Sequence, residues 1–344
     1  MKIFISIASY QDPLTLTTMQ SALNNCKYYN DITIGCLDQT VDVLTYEDLP
    51  ENIKYKSVHP QESKGACWAR KKIQTELFDD EDIFMQIDSH MIFEDNWDEK
   101  ILKQYDTSFQ WTEKPIITCY PPGFDVLKTD ERKYINQHGI IEDDFKYIFK
   151  LTHPKEEITH VMRSLNWFTM DPNLLGVGNF FTQEASSKPK GYYLGYGLAG
   201  GYIFTSGKWV SEVPYDDRIY FSGEEQTLAL RSFTRGWDII HGPEIPLYHW
   251  YNTGDMELKR KTHWGADADP ELQAKNQEHI KQAALLVDRI LVGKEKGIYG
   301  IGEERTLQDF YKRSGIDYEN RVVHPETAMF WKQKPLPMME ESFE

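Results

Sequence analysis

The stretch Phe84-Met85-Gln86-Ile87-Asp88-Ser89-His90-Met91 constrains this chain most. Ile83 to Ile87 reads as a buried strand, and the polarity changes abruptly at Asp88. It is the fourth strand of an alternating series. Ile3 to Ala8 is the first, and Asp12-Pro13 then reads as a helix N-cap with proline in the first turn. Leu16, Met19, Leu23 and Cys26 follow at helical spacing. Ile32 to Leu37 is the second strand, with Asp38 at its end, and Ile53 to Val58 is the third. Ala66 to Phe78 reads as a helix with Ala66, Ala69, Ile73 and Leu77 on one face. Strands alternating with helices predict an α/β fold with a mainly parallel central sheet. In such sheets ligands bind beyond the C-terminal ends of the strands. A strand ending in Asp-x-His projects a carboxylate and an imidazole there.

Beyond Asp88 the pattern loosens. Trp97 to Tyr105 reads as a helix and Ile116 to Tyr120 as a strand stopped by Pro121-Pro122-Gly123. Residues 124–195 are read as an acceptor-side insertion. Leu198 to Phe204 returns as a core strand, and Gly223 to Gly236 spans a helix. Ile239-Ile240 and Ile245 to Tyr248 are extended and lead to His249-Trp250-Tyr251. Leu272 to Leu291 is amphipathic and ends at Gly293, and Thr306 to Arg313 is a shorter helix closed by Gly315. The organisation expected is a main domain over 1–255 and a C-terminal helical extension over 256–344.

The net charge of −16 argues against a broad nucleic-acid footprint, which needs a basic face. The four cysteines have no zinc-ligand spacing and fit free, mostly buried thiols in a reducing compartment. No apolar run approaches a membrane span, and the N-terminus reads as a core strand rather than a leader. The expected location is cytoplasmic.

Oxygen from Asp88 and nitrogen from His90 suit Mn²⁺ or another borderline divalent ion, which could neutralise a diphosphate leaving group. A turn-forming Asp is the bland alternative for Asp88. His249, after a short strand, is either structural or a third ligand. Glu224 and Glu225 open a helix, where acids suit the dipole; Glu224 could also contact donor hydroxyls. Arg70 either lies on a solvated helix face or reaches a base or Asp88. Asp38 is either a turn residue or a nucleoside contact. Gly195 to Gly200 matches G-x-G-x-x-G by letter, but its context fails, since the glycines precede a strand instead of joining strand to helix. Gly200 and Gly201 are read as letting the backbone approach a sugar. His263 lies near the candidate site in sequence, beside the basic run Lys259-Arg260-Lys261.

Several motifs carry a family resemblance. Ile5-Ser6-Ile7-Ala8-Ser9-Tyr10-Gln11-Asp12-Pro13, Gly65-Ala66-Cys67-Trp68-Ala69-Arg70 and Gln86-Ile87-Asp88-Ser89-His90-Met91 resemble the polypeptide N-acetylglucosaminyltransferase family, whose eukaryotic type member modifies a hydroxyproline of Skp1. Tyr120-Pro121-Pro122-Gly123, Leu198-Ala199-Gly200-Gly201, Phe221-Ser222-Gly223-Glu224-Glu225 and Tyr248-His249-Trp250-Tyr251 continue it in order. The chain is also distantly similar to the polypeptide GalNAc transferases. The resemblance implies a Rossmann-like GT-A fold and a retaining, divalent-metal-dependent transfer from a UDP-sugar, UDP-GlcNAc, to a hydroxyl acceptor such as a protein. It implies Mn²⁺ or Mg²⁺ on Asp88, His90 and His249, with Glu224 and Glu225 at the reacting sugar. Ser9, Asp38, Arg70, Gly200, Gly201 and His263 are the donor-binding candidates. Glu225 stands where the GalNAc transferases have Asn. A non-protein acceptor, a binding module without turnover and a hydrolase are the competing readings.

Overall fold

The computed structural model describes residues 1–44, 49–128, 147–151, 158–169, 179–251, 270–323 and 334–338. The first part alternates as the sequence predicts: β1 (Ile3–Tyr10), α1 (Thr15–Asn24), β2 (Ile32–Gln39), β3 (Ile53–Val58), α2 (Ala66–Glu76) and β4 (Ile83–Asp88). β5 (Met91–Phe93), α3 (Trp97–Ser108) and β6 (Pro115–Thr118) follow. Within 124–195 lie two antiparallel ribbons, β7 (Phe124–Lys128) with β8 (Tyr147–Leu151) and β9 (Ile158–Thr169) with β10 (Asn179–Pro189), and then β11 (Tyr193–Leu194). β12 (Tyr202–Ser206), α4 (Lys208–Glu212), α5 (Glu224–Thr234), β13 (Asp238–His241) and β14 (Leu247–His249) complete the region around the sheet. The C-terminal part holds α6 (Pro270–Leu291), α7 (Leu307–Ser314), β15 (Ile316–Asp317) and β16 (Val322–Val323).

The central sheet has eight strands in the order β11-β13-β6-β12-β4-β1-β2-β3. β1, β2, β3 and β4 pair in parallel, while β12 runs antiparallel between β4 and β6. The strand expected from Leu198 begins only at Tyr202. Tyr202 N–H donates to Ala199 O at 3.1 Å, closing a turn through Gly200 and Gly201. Two residues without side chains give the chain nothing to pack as a strand, and it reverses there. α1 likewise starts two residues later than Asp12-Pro13 suggests, and the Asp12 side chain serves elsewhere.

The two-residue side-chain period of a strand divides the core. Ile3, Ile5 and Ile7 of β1 and Met85 and Ile87 of β4 point to one face, against Met19 of α1 and Trp97 of α3. Phe4 and Phe84 point to the other, against Ala69 and Ile73 of α2 and Leu228 of α5. Val287 and Ile290 of α6 and Phe310 of α7 join this second cluster. Thr306 caps α7 through a capping box with Asp309, and Gly315, expected from the sequence to close this helix, ends it at φ +67°.

Candidate active site

β4 ends at Asp88, and the chain turns through Ser89 and His90 into β5. α1 grips this turn from both sides. Thr18 Oγ1 donates to Ser89 O (2.8 Å) and accepts from Met91 N–H (2.9 Å). β14 pairs antiparallel with β5, so His249 faces Met91. Trp250 N–H donates to His90 O (3.1 Å), and His249 N–H donates to Pro122 O (2.9 Å). This pairing brings together two histidines 159 positions apart, with their Nε2 atoms separated by 3.0 Å. His249 Nε2 lies 3.1 Å from Asp88 Oδ2, and His90 Nε2 lies 3.9 Å from the same oxygen. Asp88, His90 and His249 therefore form a cluster able to hold a metal ion.

The donor chemistry fits such an ion. Two imidazole nitrogens at this separation repel each other unless a proton or a cation lies between them. An octahedral cation with bonds of about 2.1 Å separates neighbouring ligand atoms by about 3.0 Å, close to two of the three distances. One carboxylate oxygen and two imidazoles suit Mn²⁺ better than Ca²⁺.

Asp12, read from sequence as a helix cap, packs behind the cluster. Its Oδ2 accepts from His90 Nδ1 (2.6 Å) and Ser89 Oγ (2.8 Å), and its Oδ1 accepts from Leu14 N–H (2.9 Å). A carboxylate on Nδ1 fixes the proton there and leaves the Nε2 lone pair facing Asp88 and His249. On the other side, Arg70 Nη2 donates to Asp88 Oδ1 (2.8 Å), while Arg70 Nη1 donates to Glu224 Oε1. Burial would push the Asp88 carboxyl up. The His249 hydrogen bond and the charge of Arg70 outweigh it and hold Asp88 well below the usual carboxylate range.

The cluster opens into a cavity of about 250 Å³, with Tyr10, Tyr120, Phe221, Tyr251, Gln39 and Glu225 on its walls. Arg70 and Gly201 also line it. Gly201 matters by its missing side chain: a Cβ there would sit 2.5 Å from Asp88 Oδ2. Gly65 opens α2 at φ +97°, and a Cβ there would meet Tyr220 O at 2.0 Å. Glu224 does not line the cavity. It is 4% exposed and engages Arg70, Tyr215 OH (3.1 Å) and Cys67 Sγ (3.5 Å). Glu225 does face the cavity. Its Oε2 accepts from Tyr120 OH (2.6 Å) and its Oε1 from Gly200 N–H (2.8 Å). Burial pushes its carboxyl up to about 7, against the lowering effect of those two hydrogen bonds.

Ser9 and Asp38 lie behind the cavity wall. Ser9 Oγ shares a hydrogen bond with Thr15 Oγ1 (2.7 Å), and Asp38 Oδ2 accepts from Tyr55 OH (2.9 Å). The wall residue at the end of β2 is Gln39, one position beyond Asp38. His263 and the basic run beside it lie outside the described residues. Cys67 is a buried thiol pushed well up by burial, and all four cysteines are free. Among the described residues no helix is long and apolar enough to cross a membrane.

The sequence profile described as Glycosyltransferase (GlcNAc) matches residues 44–320. The chain belongs to this glycosyltransferase family. Its fold is the α/β architecture with a mainly parallel central sheet expected from the sequence. No curated protein sequence matches the chain. Among solved structures, it is similar to S. aureus TarS 1–349 in complex with UDP-GlcNAc, at 12% identity and a TM-score of 0.40, over 76% of this chain and 62% of that one. The chain thus spans 62% of the length of that relative. The UDP complex of S. aureus TarS 1–349 matches at 11% identity and a TM-score of 0.43, over 96% of this chain and 78% of that one. An active-site mutant of LgtC matches at 15% identity and a TM-score of 0.24, over 34% of this chain and 46% of that one.

Proposed function

We propose that this glycosyltransferase is a retaining, divalent-metal-dependent enzyme that moves GlcNAc from UDP-GlcNAc to a hydroxyl acceptor on a protein in the cytoplasm. The observation that carries the metal reading is the convergence of Asp88 Oδ2, His90 Nε2 and His249 Nε2 at the open end of β4, beside a cavity walled by Tyr10, Tyr120, Phe221 and Tyr251. The family description supports GlcNAc as the donor sugar, and the motif resemblance supports a protein acceptor. Mn²⁺ or Mg²⁺ on these three residues would neutralise charge on the diphosphate as it leaves.

In this reading the nucleoside lies toward the ends of β1 and β2, beside Tyr10 and Gln39, with Ser9 and Asp38 supporting that wall. The backbone at Gly200 and Gly201 lets the sugar approach Asp88. Front-face attack explains retention without an enzymic nucleophile, the departing phosphate taking the acceptor proton. Two features support that choice. Glu224 is tied to Arg70, Tyr215 and Cys67, and both Glu225 oxygens are engaged, by Tyr120 OH and by Gly200 N–H.

The test is UDP release from a panel of UDP-sugars with Mn²⁺, against an EDTA control. Release from UDP-GlcNAc that EDTA blocks supports the donor and the metal together. Release unaffected by EDTA refutes the metal, and release from another sugar alone refutes the donor. Product anomer analysis by NMR decides retention, and protein against glycan acceptors decides acceptor class.

A further inference from the structure

Two adjacent glutamates open α5, and their side chains diverge. We propose that Glu224 is a positioning residue that acts through Arg70 on Asp88, and that Glu225 is the carboxyl presented to substrate. The proposal rests on the metal reading above and goes beyond it in dividing the roles of the pair.

Arg70 is the hinge of the assignment. Its side chain is 6% exposed and its guanidinium has two prongs in use, one on Asp88 Oδ1 at 2.8 Å and the other on Glu224 Oε1. The first prong takes one oxygen of Asp88 and leaves Oδ2 to the histidines. Glu224 holds the second prong away from Asp88. Tyr215 OH and Cys67 Sγ fix the Glu224 carboxylate in turn, and the Arg70 guanidinium packs over the Tyr215 ring at 5.6 Å. The Gly200 backbone lies directly on the pair: a Cβ there would sit 2.6 Å from Glu224 Oε1 and 2.9 Å from Arg70 Nη1. Glu225 instead accepts from Tyr120 OH and from Gly200 N–H, and it meets the cavity.

The physical consequence concerns competition for Asp88. Arginine prefers to grip a carboxylate with both prongs. Without Glu224, Arg70 Nη1 is released and the guanidinium presents its whole charge to Asp88. It then competes with a cation for Oδ2. Loss of an outer partner of this kind lowers metal affinity by about 10- to 100-fold.

The experiment titrates the full chain with MnCl₂ alone and reads free Mn²⁺ by electron paramagnetic resonance, with near-UV circular dichroism as the check of folding. Glu224→Gln is expected to raise the Mn²⁺ dissociation constant at least tenfold. Glu225→Gln is expected to stay within threefold of the parent while losing UDP release. In an Arg70→Met background, adding Glu224→Gln is expected to change affinity less than twofold, because the path through Arg70 is already cut. Glu224→Gln that binds Mn²⁺ like the parent yet loses UDP release overturns the proposal, since Glu224 then acts on substrate. Equal loss of Mn²⁺ affinity in Glu224→Gln and Glu225→Gln overturns it too. If Glu224→Gln does not fold, Tyr215→Phe removes one hydrogen bond to Glu224 and is expected to weaken Mn²⁺ two- to fivefold; unchanged affinity refutes the chain of contacts. A parent protein that binds no Mn²⁺, with or without UDP, refutes the metal reading itself and is thereby told apart from a failure of the role assignment.

Discussion

Asp12→Asn is the sharpest test of how the cluster is built. The Asp12 carboxylate accepts from His90 Nδ1, from Ser89 Oγ and from Leu14 N–H. Asn has one acceptor oxygen and one donor group. If its oxygen stays toward His90, the amide NH₂ confronts the Leu14 N–H. If the amide is reversed, the NH₂ confronts His90 Nδ1 and drives the imidazole proton to Nε2, the atom that faces Asp88 and His249. Either arrangement also removes the negative charge beside His90 Nδ1. Outer-shell carboxylates on metal-binding histidines contribute about 10- to 100-fold in affinity, or about 1.4–2.7 kcal/mol. The side chain is 1% exposed, so water cannot replace the lost contacts and the upper half of that range is expected. Mn²⁺ titration followed by electron paramagnetic resonance or calorimetry at pH 7.5 measures it, with a thermal melt to confirm folding. Affinity within twofold of the parent in a folded Asp12→Asn protein would refute the orienting role.

Asp88→Asn and His249→Ala are each expected to cut metal-dependent UDP release at least about 100-fold while the melt stays cooperative; full activity in both would remove the cluster from the mechanism. Gly201→Ala puts a Cβ 2.5 Å from Asp88 Oδ2, so the carboxylate must retreat by about 1 Å from a position that Arg70 and His249 define. The expected result is about 1–3 kcal/mol of lost stability and weaker Mn²⁺ binding, read by denaturant titration and metal binding. Glu225, raised from 4.5 to about 7, favours its neutral form in the fold. The stability it contributes is complete below about pH 4.5 and lost as pH rises through about 7, at most about 3 kcal/mol in all. Denaturant titrations between pH 4.5 and 8 should show that slope in the parent and not in Glu225→Gln; parallel profiles would contradict it.

Much of this site is written locally. Asp88 and His90 follow a continuous apolar strand, and the four parallel strands around them are marked by short apolar runs alternating with helical stripes. His249 is legible only through its own short strand, since nothing near it in sequence names β5 as its partner. Asp12 is hidden by a stronger local signal, because Asp-Pro before an amphipathic run reads as a helix start. A usable clue exists: β1 and β4 pair in parallel with Ala8 opposite Asp88. An acid just past the end of β1 therefore falls beside Ser89 and His90. The direction of β12 is not legible, because alternation along a strand has no sense of direction. Nor is the split between Glu224 and Glu225. Neighbours on a helix point about 100° apart, and which of them faces α2 depends on how α5 docks.

The β5–β14 pairing has a consequence for how the protein is made. Two ligands of the cluster are translated early and the third 159 residues later. A growing chain that has not yet reached His249 offers a cation Asp88 and His90 of this cluster, a weak partial site. Closing so long a loop costs entropy that only the packed sheet can offset. Ion capture is thus deferred until the late strand has docked, and Mn²⁺ uptake during synthesis, on the proposed metal assignment, would mark completion of the fold rather than start it.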